Sequence, residues 1–343
     1  MNRWLFTASS AVVIAGCTGG GAQTNDGTGG SRGRGGSGGN TSSPGSGGAG
    51  VGFGGAGGAT GGFPGGSGAA SGTSGGSGTG GTPVADPAVE QACSALAKAL
   101  CAKSETCTPF ATALLFGSRT VCEQRLALDC LPKFGAPGTS ATPAKILSCA
   151  DSLATHPCAA FVKGDFGAAC APQAGGSIAG VACGDDWQCA STFCARAPDA
   201  VCGVCAPTTQ PGGPCVRGAC SAGTVCPMGK SICVALEPGQ LGATCTVHEQ
   251  CDIGNGVGCS PISGRCIRLT LGSSGPCGAD LSGTMYAACP ASGTCSALVG
   301  GTCSMAAADG AACSAASTGP SCLPPARCVG GRCTLPNPAL CLP

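Results

Sequence analysis

The chain has 343 residues, among them 64 Gly and 31 Cys, with 3% aromatic and 10% charged side chains and a formal net charge of +1. Ordinary soluble domains carry about 25% charged residues and about 7% Gly, so the composition excludes an ordinary cytosolic enzyme. No basic cluster accompanies the near-neutral charge, which gives no basis for nucleic-acid binding or for electrostatic attachment to a membrane.

Met1-Asn2-Arg3 is followed by an apolar run from Trp4 to Ala15 and then by Gly16-Cys17. A short positive start and an apolar stretch too short to span a bilayer predict a signal peptide over 1–16. The stretch Val13-Ile14-Ala15-Gly16-Cys17 resembles the lipobox of bacterial lipoproteins. That resemblance implies diacylglycerol on the Cys17 thiol, cleavage before it and acylation of the new amine, and two or three acyl chains anchor far more firmly than one. Thr18 in place of Asp implies, by the same analogy, sorting to the outer membrane and the cell surface. The alternative is secretion with Cys17 discarded or idle.

Residues 18–87 hold 31 Gly in 70 positions, no Cys, and only Asp26, Arg32, Arg34 and Asp86 as charges. Such a segment cannot recover its ordering entropy, so 17–87 reads as a lipidated cysteine followed by a disordered Gly/Ser-rich tether. Its root-mean-square reach is about 45–50 Å for a Gly-rich coil.

Helix signals begin at Asp86-Pro87, a cap followed by a first-position proline. Cys93, Leu96, Ala97, Leu100 and Cys101 then recur at helical spacing. Ser118 caps a second run with Cys122, Leu126 and Cys130, and Thr142-Pro143 opens a third with Ile146, Cys149, Ala150 and Leu153, stopped at His156-Pro157. With Cys107, Cys158 and Cys170 this segment holds eight cysteines, enough for four bridges. We expect a small all-α, disulfide-stapled domain over 88–170.

Over 171–343 the cysteines fall into register. Cys183, Cys189, Cys194 and Cys202 form a first group, and Cys215, Cys220, Cys226 and Cys233 a second. Cys245, Cys251, Cys259 and Cys266 follow, then Cys277, Cys289, Cys295 and Cys303, then Cys313, Cys322, Cys328 and Cys333. The groups start 32, 30, 32 and 36 residues apart, a period that signals an array of about five units, each too small for its own core. Turn-forming residues fill the gaps, predicting loops and short β-ribbons with little regular structure. Cys205 and Cys341 complete an even set of 30 once Cys17 is set aside, which in an oxidising exterior favours full pairing; connectivity is not readable, since four cysteines alone allow three pairings.

"CGDDWQCASTFC", from Cys183 to Cys194, resembles the N-terminal cysteine-rich module of Dickkopf proteins, and the endings "SGRC" at Cys266 and "GGRC" at Cys333 resemble those of EGF-like modules. The resemblance implies a small extracellular disulfide-bonded interaction module. Lipobox, tether and array together resemble surface lipoproteins of Gram-negative soil bacteria.

The cysteines make poor metal or redox candidates. Zinc needs two converging ligand pairs, and only Cys202-Gly203-Val204-Cys205 has the C-x2-C spacing, far from His156 and His248. The same pair lies among turns, without the helix start of a thioredoxin-type site. Cys251-Asp252-Ile253-Gly254-Asn255 departs from the EF-hand loop, and adjacent Asp185 and Asp186 read as a solvated turn with a weak calcium alternative. No nucleophile elbow, Walker loop or dinucleotide fingerprint is present. We therefore expect no cofactor, no metal and no catalytic residue, and a non-enzymatic surface protein that binds an extracellular protein or polysaccharide. A cysteine-rich protease inhibitor presenting Arg196, Lys230 or Arg265 is the alternative, and an enzyme built around His156 a third.

Overall fold

The computed structural model describes residues 86–197, 200–214, 220–221, 224–225, 232–235, 239–245, 250–260, 262–272, 275–314 and 319–342. The signal segment, Cys17, the Gly-rich tether, Cys215, Cys226, Lys230 and His248 lie outside the described residues.

Five helices come first: α1 (Pro87–Cys107), α2 (Pro109–Phe116), α3 (Arg119–Cys130), α4 (Pro143–Leu153) and α5 (Cys158–Val162), with a 3-10 turn at Leu131–Gly135. Each of three starts has a physical cause. Asp86 accepts a hydrogen bond from Ala88 N at 2.9 Å, Ser118 from Val121 N at 3.3 Å and Thr142 from Lys145 N at 3.3 Å. Cys93–Cys130 and Cys101–Cys122 tie α1 to α3, Cys107–Cys158 ties α1 to α5, and Cys149–Cys170 holds α4 to the chain that follows α5. Ala92, Leu96, Ile146, Leu153, Phe161 and Phe166 bury themselves between the helices, the two phenylalanines edge to face with centroids 5.0 Å apart. Trp187 belongs to the first cysteine unit yet sits in this same cluster, 1% exposed. The helical core is completed from outside the 88–170 segment.

The units share one local plan. Their pairings run first to third and second to fourth: Cys183–Cys194 with Cys189–Cys205, Cys245–Cys259 with Cys251–Cys266, Cys277–Cys295 with Cys289–Cys303, and Cys313–Cys328 with Cys322–Cys333. In the second unit the described bond is Cys220–Cys233, again second to fourth. Grouping Cys202 as the fourth cysteine of the first unit is therefore a misreading of the spacing. Cys205 takes that place, and Cys202 bonds Cys341 across 139 residues.

The backbone repeats with the sulfurs. Gly180, Gly212, Gly242 and Gly310 all have φ between +78° and +86°, a region closed to most side chains. Each donates its N–H to the carbonyl of its unit's fourth cysteine, at 2.7–2.8 Å: Cys205, Cys233, Cys266 and Cys333. The residue before the first cysteine pairs with the residue before the fourth, as Ala182 with Val204, Pro214 with Ile232, Thr244 with Arg265, Pro276 with Thr302 and Ala312 with Arg332.

Regular structure beyond the helices is short. In the first unit β1 (Ala182–Cys183), β2 (Cys194–Ala195) and β3 (Gly203–Cys205) form a sheet in the order β1-β3-β2, and β4 (Thr224–Val225) pairs β5 (Val234–Ala235) in the second. The third and fourth units depart from the expected small ribbons. Their strands β6 (Val257–Cys259), β7 (Cys266–Leu271), β8 (Pro276–Ala279), β9 (Met285–Ala288), β10 (Thr294–Cys295) and β11 (Gly301–Ser304) fuse into one six-stranded sheet, ordered β10-β11-β8-β9-β7-β6. The joint is a parallel ladder of β7 with β9, Arg268 opposite Met285 through Leu271 opposite Ala288. The fifth unit closes with the hairpin β12 (Arg327–Val329) and β13 (Arg332–Thr334).

The units fold back on the helices instead of contacting neighbours alone. Leu114 of α2 joins Ile267, Leu269, Tyr286 and Ala288 in a second apolar cluster. Ser292 of the fourth unit donates through N to Leu114 O (2.7 Å) and through Oγ to Leu115 O (2.9 Å). Arg125 of α3 reaches the fifth unit, with Nη1 and Nη2 on the two carboxylate oxygens of Asp309 (2.6 and 2.8 Å), Nε on Pro324 O and Nη2 on Leu323 O, each 2.8 Å. The Cys202–Cys341 bond then joins the last described segment to the first unit.

Candidate binding site

Two polar assemblies stand out, one buried and one exposed. The buried one joins the helices to the first unit. Lys133 Nζ lies 2.7 Å from Asp129 Oδ2 and 3.3 Å from Asp185 Oδ2, with all three residues under a tenth exposed. Burial alone would lower the Lys133 pKa, but the two carboxylates outweigh it and hold the ammonium above the ordinary lysine range. Burial, reinforced by the charge of Asp185, leaves Asp129 raised despite its shorter contact with Lys133. Burial also opposes ionisation of Asp185, yet Lys133, Arg196 and the Trp187 N–H (3.1 Å) keep it below the usual carboxylate range. Asp129, Lys133 and Trp187 line a cavity of about 40 Å³ whose other walls are mostly apolar. Trp187 Nε1 meets no acceptor among the described residues.

That arrangement changes the reading of Asp185 and Asp186. Asp185 is 3% exposed, not a solvated turn. It caps the 3-10 turn Asp186–Gln188 while the Gln188 side chain accepts from the Gly184 and Asp185 amides. Asp186 Oδ1 accepts from Cys194 N at 2.8 Å. Both carboxylates are turned to internal partners.

Other candidates fall among the described residues, apart from Lys230 and His248. Close triplets of Cys sulfurs occur in the first, third, fourth and fifth units, but their members are half-cystines and carry no thiolate. Cys202 and Cys205 bond different partners, so they form no dithiol pair. His156 Nε2 contacts the main-chain Asp165 O at 2.6 Å. Arg265 Nη1 donates to Gly242 O (2.8 Å) and Arg196 Nη1 to Gly184 O (2.6 Å). In the fifth unit Arg332 makes the same return to Gly310 O, at 3.0 Å. These arginines brace their own turns instead of projecting free.

The exposed assembly is the turn between β8 and β9. The Asp280 carboxylate accepts from Thr284 N (2.8 Å), Met285 N (3.0 Å), Thr284 Oγ1 (3.0 Å) and Ser282 Oγ. Gly283 supplies the positive φ of +68° and donates to Asp280 O at 3.0 Å. The Ser282 hydroxyl first, then the Met285 amide, pull the Asp280 carboxyl down to about 2. Leu281 rides on this locked turn 97% exposed, next to half-exposed Met285, and exposed Val299 is bridged to Ala279 at the same end of the sheet. A fixed loop presenting an apolar side chain can bind without losing much conformational entropy. The sequence carried a signal for the turn, since Asp280 followed by Ser282-Gly283 is turn chemistry. That Leu281 stays uncovered needed the sheet.

No family model, no curated protein and no solved structure matches the chain. Among the described residues no helix is long and apolar enough to cross a membrane.

Proposed function

We propose that the protein is a non-enzymatic lipoprotein of the outer membrane, acylated at Cys17, whose Gly-rich tether carries a disulfide-rich head that binds an extracellular protein or polysaccharide. The observation that carries the binding reading is Leu281, held 97% exposed on a turn locked by the Asp280 carboxylate. Burying one leucine contributes about 1.5–3 kcal/mol, and a preformed loop spends little of that on ordering. The lipid anchor rests on the Val13–Cys17 stretch alone. The inhibitor alternative is weaker, because Arg196 and Arg265 engage carbonyls of their own unit.

Two measurements test the reading. Metabolic labelling with an alkyne fatty acid in a bacterial host should mark wild type and leave Cys17→Ser unmarked; equal labelling overturns the anchor. Immobilised cell-surface polysaccharides and ectodomains, probed with the full chain, should retain wild type and lose Leu281→Asp at least tenfold. Equal retention of both removes this loop as the site.

A further inference from the structure

We propose that Cys202–Cys341 is a site of thiol–disulfide exchange, a latch that a dithiol opens while the bonds inside the units stay closed. The bond stands outside the pairing scheme. The helical segment uses eight cysteines among themselves, and the units close first to third and second to fourth without Cys202 or Cys341. Cys202 is inserted between the third and fourth cysteines of the first unit, and Cys341 follows the fifth unit.

Access singles out the same bond. Among the described residues Cys202 is the one exposed half-cystine; every other is buried or partly buried. Exchange proceeds by attack of a thiolate on a sulfur it can reach, so access sets which bond reacts first. Cys341 itself is 2% exposed, which directs attack to Cys202 Sγ. The attacking thiolate forms a new S–S bond to Cys202, and Cys341 leaves as a thiolate that takes a proton. The second thiol of the dithiol then displaces Cys202, giving a cyclic disulfide and a free Cys202 thiol. Two electrons pass from the dithiol to the protein disulfide.

The bond holds a seam. Asn337 caps the 3-10 turn Pro338–Leu340, accepting from Ala339 N at 3.1 Å, and Pro338 is buried. This turn contacts the Leu131–Gly135 turn that carries Lys133. It also lies so close to Gly184 that a Cβ there would stand 2.4 Å from Pro338 Cα and 3.0 Å from Cys341 Sγ. Opening the latch frees segment 335–342 from both surfaces, next to the Lys133–Asp185 contact. The bond re-forms by the reverse exchange, in which a cyclic disulfide accepts the two electrons and returns to the dithiol.

The test is partial reduction of the native full chain with dithiothreitol, followed by alkylation and peptide mapping. Cys202 and Cys341 should be labelled at least tenfold faster than any other pair, and amides of 131–135 and 182–186 should exchange hydrogen at least tenfold faster once they are labelled. Earlier labelling of another pair, or uniform labelling, overturns the proposal, as does unchanged exchange at the seam. In the C202S/C341S double variant the early phase should vanish while the remaining bonds resist as before. An early phase of the same size elsewhere in that variant also overturns it.

Discussion

Lys133→Met is the most informative perturbation of the head, because it leaves two carboxylates in a site built around one ammonium. Lys133, Asp129 and Asp185 are 6%, 7% and 3% exposed, so solvent screens little of their interaction. Removing one partner of a buried ionic set costs about 3–5 kcal/mol, chiefly by stranding the other charges. In guanidinium, with a slope of about 4 kcal/mol per molar for a domain of this kind, the midpoint should fall by about 1 M at pH 7. The pH dependence gives the sharper signature. In wild type Asp185 is held below its unfolded pKa of 3.8, so its contribution is present above that value and lost as the pH falls through the folded pKa. Lys133 is held above 10.5, so its contribution persists below 10.5 and is lost as the pH rises through the folded value. In Lys133→Met both carboxyls lose the charge that most opposes the effect of burial, and Asp129, already raised in wild type, is raised further. The folded state then binds more protons than the unfolded one above about pH 4, and acidification from pH 7 toward pH 4.5 should restore stability. Fluorescence of Trp187 in a Trp4→Phe background, with disulfides intact, reports the transition beside the cluster. A neutral-pH loss below about 1 kcal/mol, or a variant that gains no stability relative to wild type on acidification from pH 7 to about pH 4.5, would refute this account of the site.

Further predictions follow from single contacts. Tyr286 is the one tyrosine of the chain, and burial pushes its phenol up to about 12; absorbance titration should show no phenolate until about pH 12 in the intact protein and ionisation near 10 after reduction and unfolding. Because the folded pKa exceeds the unfolded one, the head should lose stability as pH rises between those values. Arg125→Ala removes four hydrogen bonds to the fifth unit and should cost about 2–4 kcal/mol, with Arg125→Lys recovering only part, because an ammonium lacks the two-pronged geometry. Gly184→Ala drives a Cβ to 2.4 Å from Pro338 Cα and should cost about 1–3 kcal/mol while raising hydrogen exchange in 338–340. Leu281→Asp, at a fully exposed position, should leave the unfolding midpoint within about 0.5 kcal/mol of wild type.

Much of the local structure is legible in the sequence because its causes are local. The caps at Asp86, Ser118 and Thr142 act within three residues, and all three hold helix starts. The unit period is visible because four of the units place a glycine of similar positive φ three residues before the first cysteine, and each described bond within a unit closes a short loop. Legibility fails where two candidates are equivalent in spacing. Cys202 and Cys205 both stand at a plausible distance from Cys194, and only the hairpin register, Cys194 opposite Cys205, decides between them. It fails again where a contact is made across a long separation. Nothing near Arg125 signals Asp309, 184 residues away. Asp185 and Asp186 are two acidic residues in a turn-rich stretch, and only the approach of Lys133 turns one of them inward. The tether and Cys17 lie outside the described residues, so the lipidation reading rests on sequence alone.

Covalent and noncovalent forces divide the work of this fold unevenly. The bonds within units span 11 to 18 residues, and closing loops of that length limits the unfolded chain by about 3 kcal/mol each in the entropy model. Such short links fix the inside of a unit and say nothing about where the unit sits. Placement depends on Trp187 in the helical core, on Ser292 against Leu114 and Leu115, on Arg125 against Asp309, and on the Cys202–Cys341 bond. Each of those noncovalent contacts is of the order of a few kcal/mol, far less than the summed disulfides. Damage to a docking contact should therefore release a unit whose own disulfides remain paired. Arg125→Ala should show this as protease cutting between 304 and 326 with an unchanged disulfide map. A reshuffled map in that variant would mean that docking guides pairing, and that the two kinds of force are not separable here.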